Sequence, residues 1–209
     1  MLFGRKTLEL LPPEETLPGR DTLIAVQERH AVLGTPIVPP FPDGHAELVV
    51  GMGCFWGAER IYWQLPGVYT TAVGYSGGVT PNPTYHEVCT GNTNHAEDVL
   101  VVYDPTVTSV EELLVPFWEN HDPTTPMRQG GDVGTQYRSQ IQVADDRERA
   151  IAEASRDRYQ AKLSAEGFGD IVTEIVPRSP FYWAEVEHQQ YLHKHPGAYC
   201  NHGFCQVRF

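Results

Sequence analysis

Five consecutive residues, Gly53-Cys54-Phe55-Trp56-Gly57, hold the densest chemistry in the chain. Cys54 follows a short apolar run and precedes a helical pattern. A thiol there sits where free backbone N–H groups and the helix dipole favour an anion. Such a position lowers a thiol's pKa and predicts a nucleophile. The flanking glycines leave room for a substrate, and the two aromatics supply an apolar wall. A structural cysteine in a strand-to-helix turn fits the same place. Glu97 lies beside the apolar strand expected from Val99. Desolvation disfavours charge, so a carboxyl at the end of a buried strand is a candidate general acid. Tyr85 and Tyr137 are phenols able to donate to an oxyanion-like oxygen. An ordinary surface Glu and two packing tyrosines are the competing readings.

Two further thiols, Cys200 and Cys205, lie beside His202 within ten residues of the C-terminus. A thiol on a flexible tail can attack an oxidised Cys54 and form a disulfide. The competing reading is a zinc site built from these cysteines with His193, His195 and His202, although no second pair stands at finger-like spacing. Cys89 has no partner in sequence and reads as a small buried hydrophobe. The chain has no His-Glu-x-x-His, P-loop or dinucleotide fingerprint.

The elements that must position these groups are legible in outline. Residues 47–51 read as a strand. Ala58, Ile61, Tyr62 and Leu65 fall at helical spacing until Pro66-Gly67. Strands are expected at 68–74, 99–103, 135–143 and 171–176. Helices are expected at 83–89, from the Ser109/Glu112 capping box onward, at 145–166 and at 185–193. Pro116 predicts a kink near the end of the second of these. The 145–166 helix carries 6 acidic and 5 basic residues, and its Ala150, Ile151, Ala154, Ala161 and Ala165 share one arc. Residues 1–44 hold 7 of the 17 prolines and read as an extended arm that wraps the main domain. The last twelve residues read as a mobile tail. Uneven strands and helices favour an α+β fold over a doubly wound sheet. The expected division is an arm over 1–44, a catalytic domain over 45–196 and a cysteine-containing tail over 197–209.

Composition narrows the function. The 209 residues include 27 acidic and 15 basic side chains, a net charge of -12. That balance speaks against nucleic acid and against anionic lipid as partners. Four cysteines are too few for a disulfide-built secreted scaffold. No signal-like h-region or membrane-length apolar run is evident, so a cytoplasmic protein with thiols reduced at rest is expected.

The chain resembles the peptide methionine sulfoxide reductase A family. The resemblance rests on Gly-Cys-Phe-Trp-Gly at 53–57, Gly-Tyr-Ser-Gly-Gly at 74–78, Pro-Asn-Pro-Thr-Tyr at 81–85 and Glu87-Val88-Cys89. It continues through 91–97, 117–123, 134–139, His188-Gln189-Gln190-Tyr191-Leu192 and Gly-Ala-Tyr-Cys at 197–200. The resemblance implies a two-layer sheet-and-helix sandwich with a ferredoxin-like core. It implies Cys54 as nucleophile, with Glu97, Tyr85 and Tyr137 on the sulfoxide oxygen. Phe55 and Trp56 would form the methyl pocket, Asp132 would help to order the site, and Cys200 would resolve. The implied reaction reduces the S-epimer of methionine sulfoxide, in oxidised proteins or free, with no bound cofactor or metal. Thioredoxin would be the external reductant and the protein a monomer. Relatives with two tail cysteines carry a longer Gly-rich spacer between them. Here four residues separate Cys200 from Cys205. Cys205 is then either a second recycling thiol or the partner of Cys54 in place of Cys200. A cysteine hydrolase, which needs a histidine paired to Cys54, and a zinc module built on the tail are the alternatives.

Overall fold

A computed structural model describes residues 8–200, 202 and 207–209. In chain order the elements are β1 (Ala46–Met52), α1 (Phe55–Tyr62), β2 (Val68–Ser76), α2 (Tyr85–Cys89), β3 (Ala96–Tyr103) and α3 (Val110–Glu119). There follow a small hairpin of β4 (Arg128–Gln129) and β5 (Asp132–Val133), β6 (Ser139–Val143) and α4 (Asp146–Ala165). The last are β7 (Glu174–Pro177), β8 (Tyr182–Trp183) and α5 (Tyr191–Lys194). Six strands form one sheet in the order β7-β6-β1-β3-β2-β8. All neighbours are antiparallel except β6 and β7. The protein is α+β, as its uneven segments predict.

Strand alternation sorts the core into two faces. Leu48, Val50, Met52, Val73, Tyr75, Val99 and Val101 face the helices and pack with Phe55, Leu113, Leu114, Phe117 and Trp118. Val49, Ala72, Leu100 and Val102 face the other way and are covered by Ile37 of the N-terminal segment. Residues 8–44 cross that second face with a single 3₁₀ turn, Pro13–Glu15, as their only helical element. The prolines keep this segment extended, and side chains tie it down. The Trp183 indole donates to Ile37 O at 2.9 Å, and the Arg20 guanidinium pairs with Glu87 at 2.6 Å. The α3 capping box forms as expected, and Pro116 lies inside that helix.

Four elements differ from the sequence reading. The predicted strand over 135–143 opens with a 3₁₀ turn, Thr135–Tyr137, and β6 begins only at Ser139. The predicted strand over 171–176 is realised as Glu174–Pro177. The predicted helix over 185–193 is confined to Tyr191–Lys194, because Gln190 adopts a left-handed φ of 48° and interrupts it. On α4 the buried residues are Ala152, Ser155, Tyr159 and Leu163. The arc of Ala150, Ile151, Ala154, Ala161 and Ala165 is exposed apart from half-buried Ile151. Two large side chains outweigh several methyl groups in buried area, so Tyr159 and Leu163 choose the face. Truncating Leu163→Ala should therefore cost about 2–5 kcal/mol in urea unfolding, whereas Ala161→Ser should stay within about 0.5 kcal/mol.

The end of the tail is also anchored rather than loose. Tyr159 Oη donates to Val207 O at 3.0 Å, and Phe209 N donates to Glu119 Oε1 at 2.8 Å. The Phe209 ring stacks on Tyr159 and lies under the Arg158 guanidinium. Two apolar side chains with neighbours to bury against hold this end in place.

Candidate active site

The site forms where β1 runs into α1. Gly53 joins them at φ 90°, a left-handed conformation that glycine adopts without strain. A Cβ at Gly53 would also strike the Gln129 side chain at 2.5 Å, so the β4–β5 hairpin can close over this turn only above a glycine. Cys54 is the N-cap of α1, as its position in the sequence predicts.

The electrostatics of Cys54 differ from expectation. The backbone N–H groups of Trp56 and Gly57 do pull its pKa down. Burial, with the nearby Glu97 carboxylate second, outweighs them and pushes the thiol well above its ordinary value. A helix N-terminus stabilises a thiolate by a modest amount, whereas taking the sulfur out of water beside another acid costs more.

Glu97 lies inside β3 rather than ahead of the strand, because β3 begins at Ala96. Its side chain is buried, and Phe55 N donates to its Oε2 at 3.2 Å. Strand alternation puts its neighbour Asp98 on the opposite face. There Asp98 accepts from Ser76 Oγ and, at 2.7 Å, from Gln140 Nε2. Burial raises the Asp98 carboxyl to about 6. Two consecutive acids thus serve separate polar sites.

Tyr85 opens α2 and Tyr137 closes the 3₁₀ turn that precedes β6. Burial raises the pKa of both phenols, and the Glu97 charge is the second cause in each case. Cys54 and Asp132 also raise Tyr137, and Asp132 raises Cys54. Glu97, Cys54, Tyr85, Tyr137 and Asp132 therefore lie within one electrostatic neighbourhood. Protonated phenols at ordinary pH remain hydrogen-bond donors.

An aromatic group borders these residues. Phe55 is fully buried and stacks towards Tyr85 with centroids 6.4 Å apart. Trp56 is half-buried and lies flat on Tyr191 at 3.9 Å. The Trp56 indole N–H donates to His188 Nδ1 at 3.3 Å, and the His188 ring lies 4.3 Å from Tyr85. His188 is thus engaged with the indole, and among the described residues no histidine is hydrogen-bonded to the Cys54 thiol. A hydrolase built on Cys54 would need that pairing. Cys200 receives a hydrogen bond from Arg60 Nη2 at 3.2 Å, which brings its sulfur to the same helix. Cys205 lies outside the described residues. Among the described residues, no group of three His, Cys, Asp or Glu could hold a metal, and no helix is long and apolar enough to cross a membrane.

The ordered motifs around this site are matched by one family model. It is described as peptide methionine sulfoxide reductase and covers residues 46–208. The chain belongs to the peptide methionine sulfoxide reductase family. Among curated relatives, "Peptide methionine sulfoxide reductase MsrA" of Salinispora arenicola is 57% identical over 205 residues, covering 97% of this chain and 93% of that protein. A solved structure, "Methionine sulfoxide reductase A of Corynebacterium diphtheriae", superposes with a TM-score of 0.84 at 45% identity. It covers 96% of this chain and 100% of the other. Mxr1 from Saccharomyces cerevisiae in complex with Trx2 superposes with a TM-score of 0.53 at 25% identity, covering 80% and 94% of the two chains.

Several residues around this candidate site carry no sequence signal strong enough to single them out. Glu185 accepts from Tyr85 N at 2.8 Å and from Tyr75 Oη at 2.8 Å, so it orients the start of α2. The Thr84/Glu87 capping box and the Arg20–Glu87 ion pair brace the same helix. Hydrogen bonding from Arg20 holds the Glu87 carboxyl down to about 2. A Thr-x-x-Glu pattern at 84–87 was the one signal available for this bracing. Cys89 is half-buried rather than a core hydrophobe, and it is hydrogen-bonded to the Tyr85 phenol.

Proposed function

We propose that the chain reduces the S-epimer of methionine sulfoxide, peptide-bound or free, with Cys54 as nucleophile. The reading is carried by one observation: a half-buried cysteine, a buried carboxyl and two phenols share one neighbourhood beside an aromatic wall. The substrate sulfoxide has a partly positive sulfur, an acceptor oxygen and an apolar methyl group. The three parts match the thiol, the acid with its phenols, and the rings of Phe55 and Trp56.

In the first step Cys54 Sγ attacks the substrate sulfur. One proton serves both Cys54 and Glu97: moved to the carboxyl, it leaves a thiolate to attack and an acid to donate. Glu97 gives that proton to the sulfoxide oxygen, while the Tyr85 and Tyr137 hydroxyls donate to the charge that develops there. Asp132 helps to order the site. The oxygen passes to Cys54, methionine leaves, and a sulfenic acid remains. In the second step the Cys200 thiol attacks Cys54, the S–O bond breaks, an S–S bond forms and water leaves. A thioredoxin dithiol then reduces the disulfide by exchange, with Cys205 as a relay. The complex of Mxr1 with Trx2 supports such a reductant. Chirality at sulfur is read because exchanging methyl and oxygen would turn an apolar group towards the acid and a polar one towards the rings. The scheme uses no bound cofactor or metal. It assigns the N-terminal 44 residues to bracing, 45–196 to catalysis and 197–209 to recycling, in a protein acting as a monomer.

A turnover without reductant tests this function. Reduced protein mixed with the separate sulfoxide epimers should release methionine from the S-epimer alone, about one per chain where the disulfide stays on Cys54 and about two where relay to Cys205 frees Cys54 for a second turnover. Peptide mass analysis should then find a disulfide that includes a tail cysteine. Equal release from both epimers would reject the stereochemical assignment, and no release from either would reject the reductase reading.

A further inference from the structure

The first turn of α1 meets the tail as well as the substrate. Gly57 lies in the interior of an α-helix, where glycine is a weakening choice. Its φ is ordinary, so the backbone does not require it. Space does: a Cβ at Gly57 would stand 2.7 Å from Cys200 Sγ and nearer still to His202 Nδ1. One turn further along, Arg60 Nη2 donates to Cys200 Sγ at 3.2 Å. His202 Nε2 lies 2.7 Å from Met52 O, the last carbonyl of β1. A carbonyl only accepts, so Nε2 carries the hydrogen and Nδ1 keeps its lone pair. That Nδ1 is shut off from solvent and has no partner among the described residues.

We propose that Gly57, Arg60 and His202 form a seat that holds the Cys200 thiol against the turn capped by Cys54. Gly57 supplies the notch. The Arg60 guanidinium grips the sulfur, and His202 is itself bonded to β1. Arg60 and His202 are positioning residues for the second step, in which the Cys200 thiol displaces hydroxide from the Cys54 sulfenic acid and water is released. Holding the two sulfurs on one helical turn replaces a search by a loose segment with a short approach. The inference rests on the reading that Cys200 resolves Cys54.

The test separates the two chemical steps in the full-length protein. Arg60→Met, Arg60→Lys, His202→Ala and the parent are mixed with methionine sulfoxide without reductant. Methionine release reports the first step. Dimedone trapping of the sulfenic acid and peptide mapping of the disulfide report the second. All four proteins should release methionine at the same rate. Arg60→Met and His202→Ala should form the Cys54–Cys200 disulfide roughly tenfold more slowly and accumulate trappable sulfenic acid, the size expected for one lost charge-assisted or buried hydrogen bond. Arg60→Lys, which keeps a donor on a long stem, should lie between. Unchanged disulfide rates in both Arg60→Met and His202→Ala would overturn the seat. So would equal slowing of both steps, which marks a general structural role. A parent that links Cys54 first to Cys205 would instead overturn the assignment of Cys200 as the resolving thiol.

Discussion

Cys54→Ser is expected to abolish methionine formation, with a loss on the order of 10⁴-fold or more, since removing a covalent nucleophile leaves only binding and polarisation. The substitution is small and should fold, because Cys54 caps α1 without any side-chain capping bond. A serine hydroxyl can in principle accept from N–H groups at the helix start, so the helix should gain rather than lose. What is lost is the sulfur: an alcohol is far less nucleophilic than a thiolate towards a sulfoxide sulfur and has no sulfenic state to store the oxygen. The assay is methionine release in the presence of thioredoxin and its reductant, with circular dichroism to confirm the fold. Release at a rate near that of the parent would move the nucleophile elsewhere.

Glu97→Gln should have the second largest effect, and its two readouts should move in opposite directions. Loss of a general acid costs about 10²–10⁴-fold in the step that protonates the sulfoxide oxygen. The same change removes a negative neighbour that raises the Cys54 pKa. The sign follows directly. A carboxylate disfavours the nearby thiolate, so taking it away lowers the thiol's pKa and increases the thiolate fraction at a given pH. Alkylation of Cys54 by iodoacetamide should become faster, and its pH midpoint should fall, although burial still holds the thiol up. Methionine release should fall in the same protein. A variant in which reduction and alkylation both fall would mean that the substitution had only distorted the site. Unchanged reduction across pH would reject Glu97 as the acid.

The raised pKa of Cys54 marks the reach of the sequence. A cysteine between a strand and a helix predicts a stabilised thiolate, and the N–H groups of Trp56 and Gly57 do act in that direction. Sequence does not reveal that the sulfur is desolvated or that Glu97 is one of its neighbours. The separation is 43 positions, and only the antiparallel pairing of β1 with β3 brings the strand carrying Glu97 beside the one that leads into Cys54. The same limit applies to α4. Its helical period was legible, but the face was decided by where Tyr159 and Leu163 could be buried against α3 and the sheet. The 185–193 segment carried a helical pattern as well. Gln190 leaves that pattern because its backbone N–H and side-chain amide both donate to buried Glu59, at 2.8 and 2.7 Å. A buried carboxylate needs such partners, and nothing local announces the need.

By itself the sequence determined the periodicities, the caps and the residue types. These were enough to favour an α+β fold, to mark Cys54, Glu97, Tyr85 and Tyr137 as candidates, and to suggest a redox use for so few cysteines. Local backbone preference and hydrophobic period act over a few residues, which is why they are readable in order along the chain. The tertiary structure alone decided which face of each element is buried, which acid stands beside the thiol and where Cys200 rests. Those properties depend on desolvation and on contacts between residues tens to more than a hundred positions apart. Neither exists until the sheet has assembled, and the burial it brings is large enough to reverse the shift that a helix N-terminus gives a cysteine.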